Sequence, residues 1–322
     1  MKTIGKVSII LAIVCITSFI IAFATGPIFL LEDLEKININ QFENSSINGI
    51  DALEINLLSV DVEVYPILSN EFEFNLKGYC SKAQENNVPE LSVQTVGETV
   101  KLNIIYPQGI NFGVQDLDLY IGIPENYKGK IEIGTASGDI EIENIKLEDF
   151  EAKTLSGEIK INSVKSLGSS LINSASGDFQ INNLESKNLN AESLSGEMYF
   201  EYLVVLNDSY FQTSSGDISI ENTDTGYSRF KTISGDIEIE NSKKINSIET
   251  TSGDIDIKNF EIDNELNIES VSGSVELDFV EGSLIDLEFQ SISGDLDNYF
   301  EDIMGGKNKV YVKTTSGDLS VY

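Results

Sequence analysis

The most constraining feature of this sequence is a short motif that recurs ten times. Two of the clearest copies are TASGDIEIEN, which begins at Thr135, and ISGDIEIEN at 233–241. Each copy contains a Ser-Gly pair, and successive motif glycines are 18 to 23 residues apart. The ten glycines are Gly138, Gly157, Gly177, Gly196, Gly216, Gly235, Gly253, Gly273, Gly294 and Gly317. A fixed period near ~20 residues is typical of repeat architectures, in which a single unit cannot bury its own apolar face.

Apolar and polar residues alternate on both sides of the motif glycine. The positions five before and two after the glycine are apolar in all ten copies, as Ile133 and Ile140 are in the first. Alternation with a period of two predicts a strand, a sharp corner and a second strand with one buried face. Every copy also has Thr or Ser three residues before the glycine, such as Thr135 and Ser174. Because these hydroxyls share the parity of the apolar positions, we expect them to point inward and hydrogen-bond near the corner.

Two topologies fit this alternation: a row of antiparallel hairpins and a parallel solenoid. A two-residue hairpin loop favours Asn-Gly, Asp-Gly or a leading glycine, whereas all ten copies use Ser-Gly. Ser-Gly suits a coil corner at which only the glycine takes a positive φ. We therefore predict an all-β fold, a parallel, β-helix-like solenoid of about ten coils with about 20 residues each.

An acidic residue follows the motif glycine in nine of the ten copies, and Ser274 is the exception. One interpretation is structural, because Ser and Asp side chains accept backbone N–H bonds at turns. The alternative is weak calcium binding, since stacked carboxylates offer the oxygen ligands that this ion prefers. The candidate calcium ligands are Asp139, Asp178, Asp217, Asp236 and Asp254. The free use of Glu at this position favours the structural interpretation, and we expect no other cofactor.

The charge balance narrows the classes of function. The chain has 21 Lys and Arg against 53 Asp and Glu, a formal net charge of -32, and no His. A surface this negative disfavours nucleic acid and anionic lipid as partners. The lack of His removes the commonest general base. Glu301 and Asp302 could serve as a glycosidase pair, but a solvated loop is the simpler interpretation, so we expect no catalytic residues and no enzyme.

The first 31 residues predict a membrane segment. Residues 7–31 carry no charge and are long enough to cross a ~30 Å hydrocarbon core. Lys2 and Lys6 precede this segment, which predicts a single-pass signal anchor in the cell membrane with a cytoplasmic N-terminus. The alternative is a signal peptide that is cleaved near Ala24. Both interpretations place the C-terminal domain outside the cytoplasm.

Residues 32–130 alternate like strands but lack the motif, as in LEINLLSVDVEVYPI at 53–67. We predict three regions: 1–31 as cytoplasmic tip and anchor, 32–130 as a strand-rich lead-in or cap, and 131–322 as the solenoid. Cys80 in the lead-in is interpreted as a small buried residue, and an intermolecular disulfide is the alternative. The last motif copy ends at Tyr322 without an evident cap, which predicts an open strand edge and possible self-assembly.

The sequence resembles a known family. An N-terminal membrane segment, the lead-in ending LYIGIPENYKGKIEIGTASGDIEIEN at 119–144 and tandem T-x-S-G-D repeats are similar to the bacterial β-strand-repeat adhesin-like proteins, a domain of unknown function. The resemblance covers about residues 50–322. It implies an envelope protein, in some relatives one linked to envelope stress, and it implies no catalytic residues. We expect an extracytoplasmic binding surface for envelope or cell-surface polymers. The alternative is an envelope scaffold or stress component that acts through a membrane protein.

Overall fold

The computed structural model describes residues 36–81, 88–106, 115–262, 264–299 and 307–322. Residues Ile37–Tyr322 form one compact unit. The described residues form strands and connecting turns only, which confirms the predicted all-β class. No helix in these ranges is long and apolar enough to cross a membrane. The predicted membrane segment, residues 7–31, lies outside the described residues.

The described residues form 25 strands that belong to one sheet. Their bounds are β1 Lys36–Ser46, β2 Ala52–Asn56, β3 Asp61–Ile67, β4 Glu71–Ser81, β5 Glu90–Val96, β6 Thr99–Ile105, β7 Gln115–Pro124, β8 Lys130–Gly134, β9 Ile140–Glu143, β10 Lys146–Leu147, β11 Phe150–Lys153, β12 Ile159–Ser166, β13 Ser169–Asn173, β14 Phe179–Ser186, β15 Asn188–Glu192, β16 Met198–Gln212, β17 Ile218–Lys231, β18 Ile237–Glu249, β19 Ile255–Phe260, β20 Glu265–Glu269, β21 Val275–Phe279, β22 Ile285–Gln290, β23 Leu296–Asn298, β24 Asn308–Lys313 and β25 Leu319–Val321.

Equivalent strands of successive repeats stack in parallel and in register. Ile159 pairs with Ile140 on one side and with Phe179 on the other, so the same alignment column becomes a ladder along the molecule. Parallel stacking confirms the solenoid and excludes the row of hairpins. The solenoid has about nine turns, compared with the ten coils predicted.

Each turn consists of three extended segments. In the turn that follows Gly138 these are β9, β10 and β11, whereas later strands such as β16 run continuously through all three. The inward side chains form one apolar core along the axis. Phenylalanines stack within it, and the ring centroids of Phe211 and Phe230 are 4.9 Å apart. The outward side chains are therefore free to differ from turn to turn, since they do not enter this core.

The lead-in also contributes to the solenoid. Strands β2 and β3 stack on β8 and β9, so residues 52–67 form a coil before the first motif copy. Strands β6 and β7 pair in parallel with the other side of this coil. Beyond them, β5 pairs antiparallel with β6, and β4 pairs antiparallel with β7. The antiparallel strands occupy the edges of β6 and β7, so this end of the ladder is covered as a cap would cover it.

The order of the last two coils in space differs from their order in the chain. Strands β24 and β25 lie between β20–β21 on one side and β22–β23 on the other. The predicted open edge at Tyr322 is therefore wrong, and the terminal coil among the described strands is β22–β23. The physical reason is packing: Val321 in β25 is buried, whereas the equivalent position in β23 is the polar Asn298. A coil with Asn in an apolar column fits better at the end of the core than inside it.

Candidate functional site

The ten Ser-Gly corners are built around hydroxyls, which are buried in nine copies and half-buried at Ser291. In nine copies the glycine N–H donates to the Thr or Ser hydroxyl three residues earlier, over 2.6 to 3.0 Å. In the tenth, the hydroxyl of Thr314 donates to the carbonyl oxygen of Gly317 over 2.7 Å. Thr213 and Thr232 are almost fully buried. The predicted inward hydroxyls with partners near the corner are confirmed.

The corner glycines are required by close stacking and not by a positive φ. Glycines with a positive φ occur at Gly49, Gly78, Gly97 and Gly282, none of which is a motif glycine. The predicted positive φ is therefore wrong. A Cβ built on Gly216 would instead lie 1.9 Å from the carbonyl oxygen of Gly196 in the turn below. A Cβ built on any of the ten motif glycines would lie within 2.0 Å of a backbone oxygen of the adjacent turn. No side chain fits that gap.

Seven of the non-glycine residues with a positive φ lie at a second bend, six residues after the motif glycine. Asn144, Asn183, Asn222, Asn241 and Asn259 occupy this bend with φ between 50° and 59°. Ser163 and Tyr202 hold the same position in two other turns. Asn tolerates the left-handed region better than most residues. The sequence analysis missed this bend, although the Asn column was visible in the alignment.

The aspartates after the motif glycine bond to the backbone of the next turn. Oδ1 of Asp217 accepts the N–H of Asp236 over 2.8 Å, and Oδ1 of Asp236 accepts the N–H of Asp254 over 2.8 Å. Asp139, Asp178, Asp254 and Asp318 accept equivalent bonds. Asp61 in the lead-in, which the sequence analysis did not single out, begins this ladder by accepting the N–H of Asp139.

These carboxylates belong to a strongly acidic face. We define the acidic face as the outward side chains one, three and five residues after each motif glycine, continued in the lead-in by Asp61 and Glu63. Lys160 and Lys258 are its basic residues within the ten motif copies. Each is paired: Lys160 Nζ lies 2.9 Å from Glu158 Oε2, and Lys258 Nζ lies 2.5 Å from Asp256 Oδ2. Donation of a hydrogen bond from the ammonium to the Glu158 carboxylate raises the pKa of Lys160.

Charge crowding is strongest where the acidic face reaches the lead-in. The pKa of Glu63 is raised, mainly by partial burial and to a smaller extent by repulsion from Glu141 and Glu143. Burial and the neighbouring carboxylates of Asp116 and Asp61 raise the pKa of Asp118. This part of the surface therefore holds its negative charges against mutual repulsion.

The calcium candidates are on this face but are not arranged as a cage. Within the described ranges, no group of three or more Cys, Asp or Glu side chains is placed to hold a metal ion. One oxygen of each candidate, Asp139, Asp178, Asp217, Asp236 and Asp254, already accepts a backbone N–H. Weak calcium binding stays a prediction, and the observed bonds are those of the structural interpretation.

A second face has a different charge pattern. We define the mixed-charge face as the outward side chains four and six residues before each motif glycine. Its charged members are Lys153, Arg229, Lys231 and Lys313 together with Glu132, Glu151, Glu192, Glu249, Glu269 and Glu288. Amide and aromatic side chains lie between the charged residues, at Asn173, Asn190, Tyr210, Gln212, Asn267, Gln290 and Tyr311. Leu171 is an aliphatic member of this face. Positive and negative charges nearly balance on this face.

The centre of the mixed-charge face carries the only arginine of the chain. Arg229 lies beside Tyr210 in the neighbouring strand, and its guanidinium is 6.0 Å from the ring centroid of Tyr227. Burial, followed by the carboxylates of Glu192 and Glu249, raises the pKa of Tyr210. Planar polar groups beside half-buried aromatic rings are suited to ligands that have both apolar surfaces and hydrogen-bonding rims.

A cavity of about 250 Å³ opens at the border of the mixed-charge face and the Ser-Gly corners. We call it the corner notch. Ile233 and Val271 form its apolar walls, and Thr251 lies between them. Its polar rim comprises Lys231, Glu249, Glu269, Lys313 and Thr315. Lys231 Nζ and Glu249 Oε2 are 2.5 Å apart, so one pair of rim charges is already neutralised.

A second cavity, of about 450 Å³, lies where the cap strands meet the first turns. Ile47, Ile50, Asp51, Tyr127 and Asp149 are among its lining residues. The Tyr127 hydroxyl donates to the carbonyl oxygen of Lys130 over 2.9 Å, and burial raises its pKa. This tyrosine therefore serves as an anchor for the backbone.

The remaining candidates from the sequence are placed as follows. Cys80 is fully buried and free, and burial raises the pKa of its thiol, so the interpretation as a small buried residue is confirmed. Glu301 and Asp302 lie outside the described residues. Tyr322 is half-exposed at the edge of the acidic face, where its ring stacks on Tyr299 with centroids 5.3 Å apart.

The sequence that forms these stacked corners also matches a known family. A profile of the Toastrack DUF4097 domain matches residues 50–198 and 166–322. The chain belongs to the Toastrack DUF4097 family. The resemblance drawn from the sequence, to a β-repeat adhesin-like family of unknown function, is confirmed. No curated protein matches the Toastrack chain.

Three solved structures are similar to this Toastrack chain. A proposed lipid-binding protein from Parabacteroides distasonis is 15% identical with a TM-score of 0.42, covering 88% of this chain and 96% of its own. A proposed adhesin from the same species is 9% identical with a TM-score of 0.42, covering 89% and 97%. A proposed cell adhesion protein from Clostridium sporogenes is 10% identical with a TM-score of 0.29, covering 88% and 99%.

Proposed function

We propose that this protein is a non-enzymatic binding surface for envelope or cell-surface polymers, anchored in the cell membrane through residues 7–31. The observation that carries the proposal is the mixed-charge face, on which parallel stacking repeats hydrogen-bonding side chains along the molecule. An extended ligand can contact many turns at once, so weak contacts add up over its length.

The charge contrast between the faces supports this assignment. The acidic face repels polyanions, including nucleic acid. The mixed-charge face combines four basic residues with six glutamates, which suits neutral or zwitterionic polymers. Tyr210, Arg229 and the corner notch add contact area at its centre and edge.

A second candidate is an envelope scaffold that acts through a membrane protein. The observation that favours it is the pair of exposed apolar side chains of the cap region, Phe42 in β1 and Leu68 after β3. Exposed apolar side chains suit contact with a partner protein. In this case the polymer-binding face would be dispensable, and the cap region would not.

The test is cosedimentation of the full-length chain with cell-wall fragments of the producing organism and with foreign cell surfaces, each with calcium and with chelator. Two matched double variants distinguish the faces. Lys231→Glu with Lys313→Glu alters the mixed-charge face, and Lys160→Glu with Lys258→Glu alters the acidic face. Both variants change the formal net charge by the same amount and replace exposed or half-buried lysines.

We expect the variant on the mixed-charge face to bind about tenfold more weakly. The two new glutamates would lie beside the glutamates already on this face, and like charges would then surround the ligand site. The variant on the acidic face should bind as the parent does. Equal loss in both variants would show a general charge effect and contradict the assignment. No binding of the parent to any fragment would leave the scaffold as the better candidate.

A further inference from the structure

The Ser-Gly corners carry an alternating ridge of large apolar side chains. The residue two positions before the motif glycine is exposed or half-buried in nine of the ten corners, and Ala175 is the buried exception. In spatial order along the solenoid it is occupied by Ala136, Leu155, Ala175, Leu194, Ser214, Ile233, Thr251, Val271, Thr315 and Ile292. Every second turn therefore presents a large aliphatic group, and every other turn a small or hydroxylated one.

The alternation follows the order of the turns in space and not their order in the chain. In the chain, Ile292 comes before Thr315, so two large residues, Val271 and Ile292, would be neighbours. Because the turn of Gly317 lies between those of Gly273 and Gly294, Thr315 separates them. The pattern is thus complete over all ten Ser-Gly corners only in the folded molecule.

Core packing does not explain the alternation at the exposed turns. The side chains of Leu194, Ile233 and Val271 are 54%, 53% and 48% exposed, and that of Ile292 is 84% exposed. Alternation of large and small residues is a device for filling a closed interior, and these side chains face solvent. An exposed row of aliphatic groups on an otherwise acidic molecule is typical of an interaction surface.

The corner notch shows what the alternation creates. Thr251 lies between the larger Ile233 and Val271, and the space above it is the 250 Å³ cavity. Apolar walls stand on either side along the axis, while Lys231, Glu249, Glu269 and Lys313 form a polar rim. The small residues at Ala175, Ser214 and Thr315 occupy the equivalent positions between other pairs of large residues.

The spacing of the ridge limits the class of ligand. Neighbouring strands lie ~4.8 Å apart, so the ridge repeats every ~9.6 Å along the axis. An extended peptide presents one face every ~6.6 Å, so two successive large residues of the ridge cannot both meet equivalent side chains of that face. A β-1,4-linked glycan has a two-sugar repeat of a length close to two turns, because successive rings are flipped. Its rings also have apolar faces and hydroxyl rims, which match the walls and rim of the notch.

The charges on either side of the ridge favour the same class of ligand. The rim of the notch balances two lysines against two glutamates, and the acidic residues after each glycine, such as Asp217 and Asp254, lie on the other side of the ridge. A polyanion would meet this column along its whole length. A neutral glycan would not.

We propose that the alternating ridge is the docking line for a neutral β-1,4-linked glycan with a two-sugar repeat, aligned with the solenoid axis and seated in the notches between the large residues. This assignment rests on the proposed polymer-binding function and names its ligand class and its contact line. The large residues of every second turn contact the glycan, and the notches at the turns between them hold its sugar rings.

The test measures binding of the full-length chain to insoluble chitin and cellulose, with α-linked dextran beads as the comparison polymer. The flattened ridge, Ile233→Thr with Val271→Thr, removes two walls of one notch. The filled-notch variant, Ser214→Leu with Thr251→Leu, adds apolar surface but abolishes the alternation. Leu206→Thr with Val204→Thr is the matched control, since both residues are exposed apolar groups away from the corner. Thermal denaturation verifies that each variant is folded.

The proposal expects the parent to bind chitin or cellulose and not dextran, and expects about tenfold weaker binding in both the flattened and the filled variants. The control should bind as the parent does. Stronger or unchanged binding by the filled-notch variant would overturn the proposal, because general apolar adhesion predicts that outcome. Binding to cell-wall fragments without any binding to chitin or cellulose would overturn the ligand class and leave the polymer-binding function intact. No binding to any fragment would contradict both.

Discussion

The acidic face and the mixed-charge face are joined at the same ten corners, yet they present opposite chemistry to solvent. Inward positions on both faces are apolar in nearly every turn, because both must pack against one shared core. Outward positions after the corner are dominated by Asp and Glu, whereas those before it mix both signs with amides and tyrosines. The fold therefore requires the inward columns, and the difference between the outward columns is available to function.

The comparison also separates two uses of a carboxylate. On the acidic face, Asp217 accepts the N–H of Asp236 and so holds one turn to the next. On the mixed-charge face, Glu151 instead pairs with Lys130 and Lys153. The same charge thus supports the backbone on one face and a network of side chains on the other.

The largest expected effect comes from the corner that both faces share. In Gly216→Ala the new Cβ would lie 1.9 Å from the carbonyl oxygen of Gly196. Because that atom belongs to the backbone, the turns must separate, and we expect a loss of more than about 4 kcal/mol in the free energy of unfolding. Urea denaturation measures it.

Gly134→Ala is the matched control for the corner. Gly134 lies in β8, before the first corner, and the nearest atom to its Cβ would be the side-chain Oδ1 of Asn56 at 3.3 Å. That atom can move, so we expect a change of less than about 1 kcal/mol. Similar losses in both variants would show that the glycine column does not depend on contact between stacked corners.

A smaller effect is expected from the hydrogen bonds of the acidic face. Asp217→Ala removes the acceptor for the N–H of Asp236, at a cost of about 1 kcal/mol. Glu197→Ala, one turn earlier, removes the same charge, but among the described residues no backbone N–H of the next turn donates to Glu197. It should cost less than about 0.5 kcal/mol. Equal effects on the urea midpoint would indicate that charge, and not the bond, distinguishes these positions.

Salt provides a third way to compare the faces. The chain has a formal net charge of -32, so screening should stabilise it. Neutralising Glu141 and Glu238 on the acidic face, each to Gln, should reduce the dependence of the melting temperature on salt concentration. Neutralising Glu269 and Glu288 on the mixed-charge face should reduce it less. Each substitution is worth a few tenths of a kcal/mol. The same reduction in both variants would refute the view that repulsion is concentrated on one face.

Alternation around the motif glycine was sufficient to predict the strands, their inward columns and the parallel solenoid. It was sufficient because period two and a fixed repeat length each leave few topologies open. The buried hydroxyls, such as Thr213, followed from the same parity. The reason for the glycine did not follow, since steric contact with the turn below depends on stacking distance and not on local sequence.

The ends of the solenoid were harder to predict than its middle. The last two repeats carry nearly the same motif, so the alignment alone gives no order in space. Asn298 in an apolar column was the local sign that one of them lies at the end, and its meaning became clear only with β25 on the inner side of β23. The corner notch was equally hidden, because Ile233, Thr251 and Val271 come together only after the turns stack.

The smallest effect concerns the response to pH, and its sign should be opposite on the two faces. Burial and repulsion raise the pKa of Glu63 on the acidic face. Although burial raises the pKa of Glu151, the ion pairs with Lys153 and Lys130 outweigh it and lower this pKa overall.

A carboxyl group with a raised pKa destabilises the folded state at neutral pH, and this penalty is relieved as the pH falls through that pKa. A carboxyl group with a lowered pKa stabilises the folded state at neutral pH, and this stability is lost in acid. At pH 7, Glu63→Gln should therefore raise the melting temperature slightly and Glu151→Gln should lower it, since each changes the free energy of unfolding by a few tenths of a kcal/mol. Both differences should vanish once the pH is below both the folded and the unfolded pKa of the residue replaced. The same sign at pH 7 for both variants would show that the two faces do not differ in how they hold their charges.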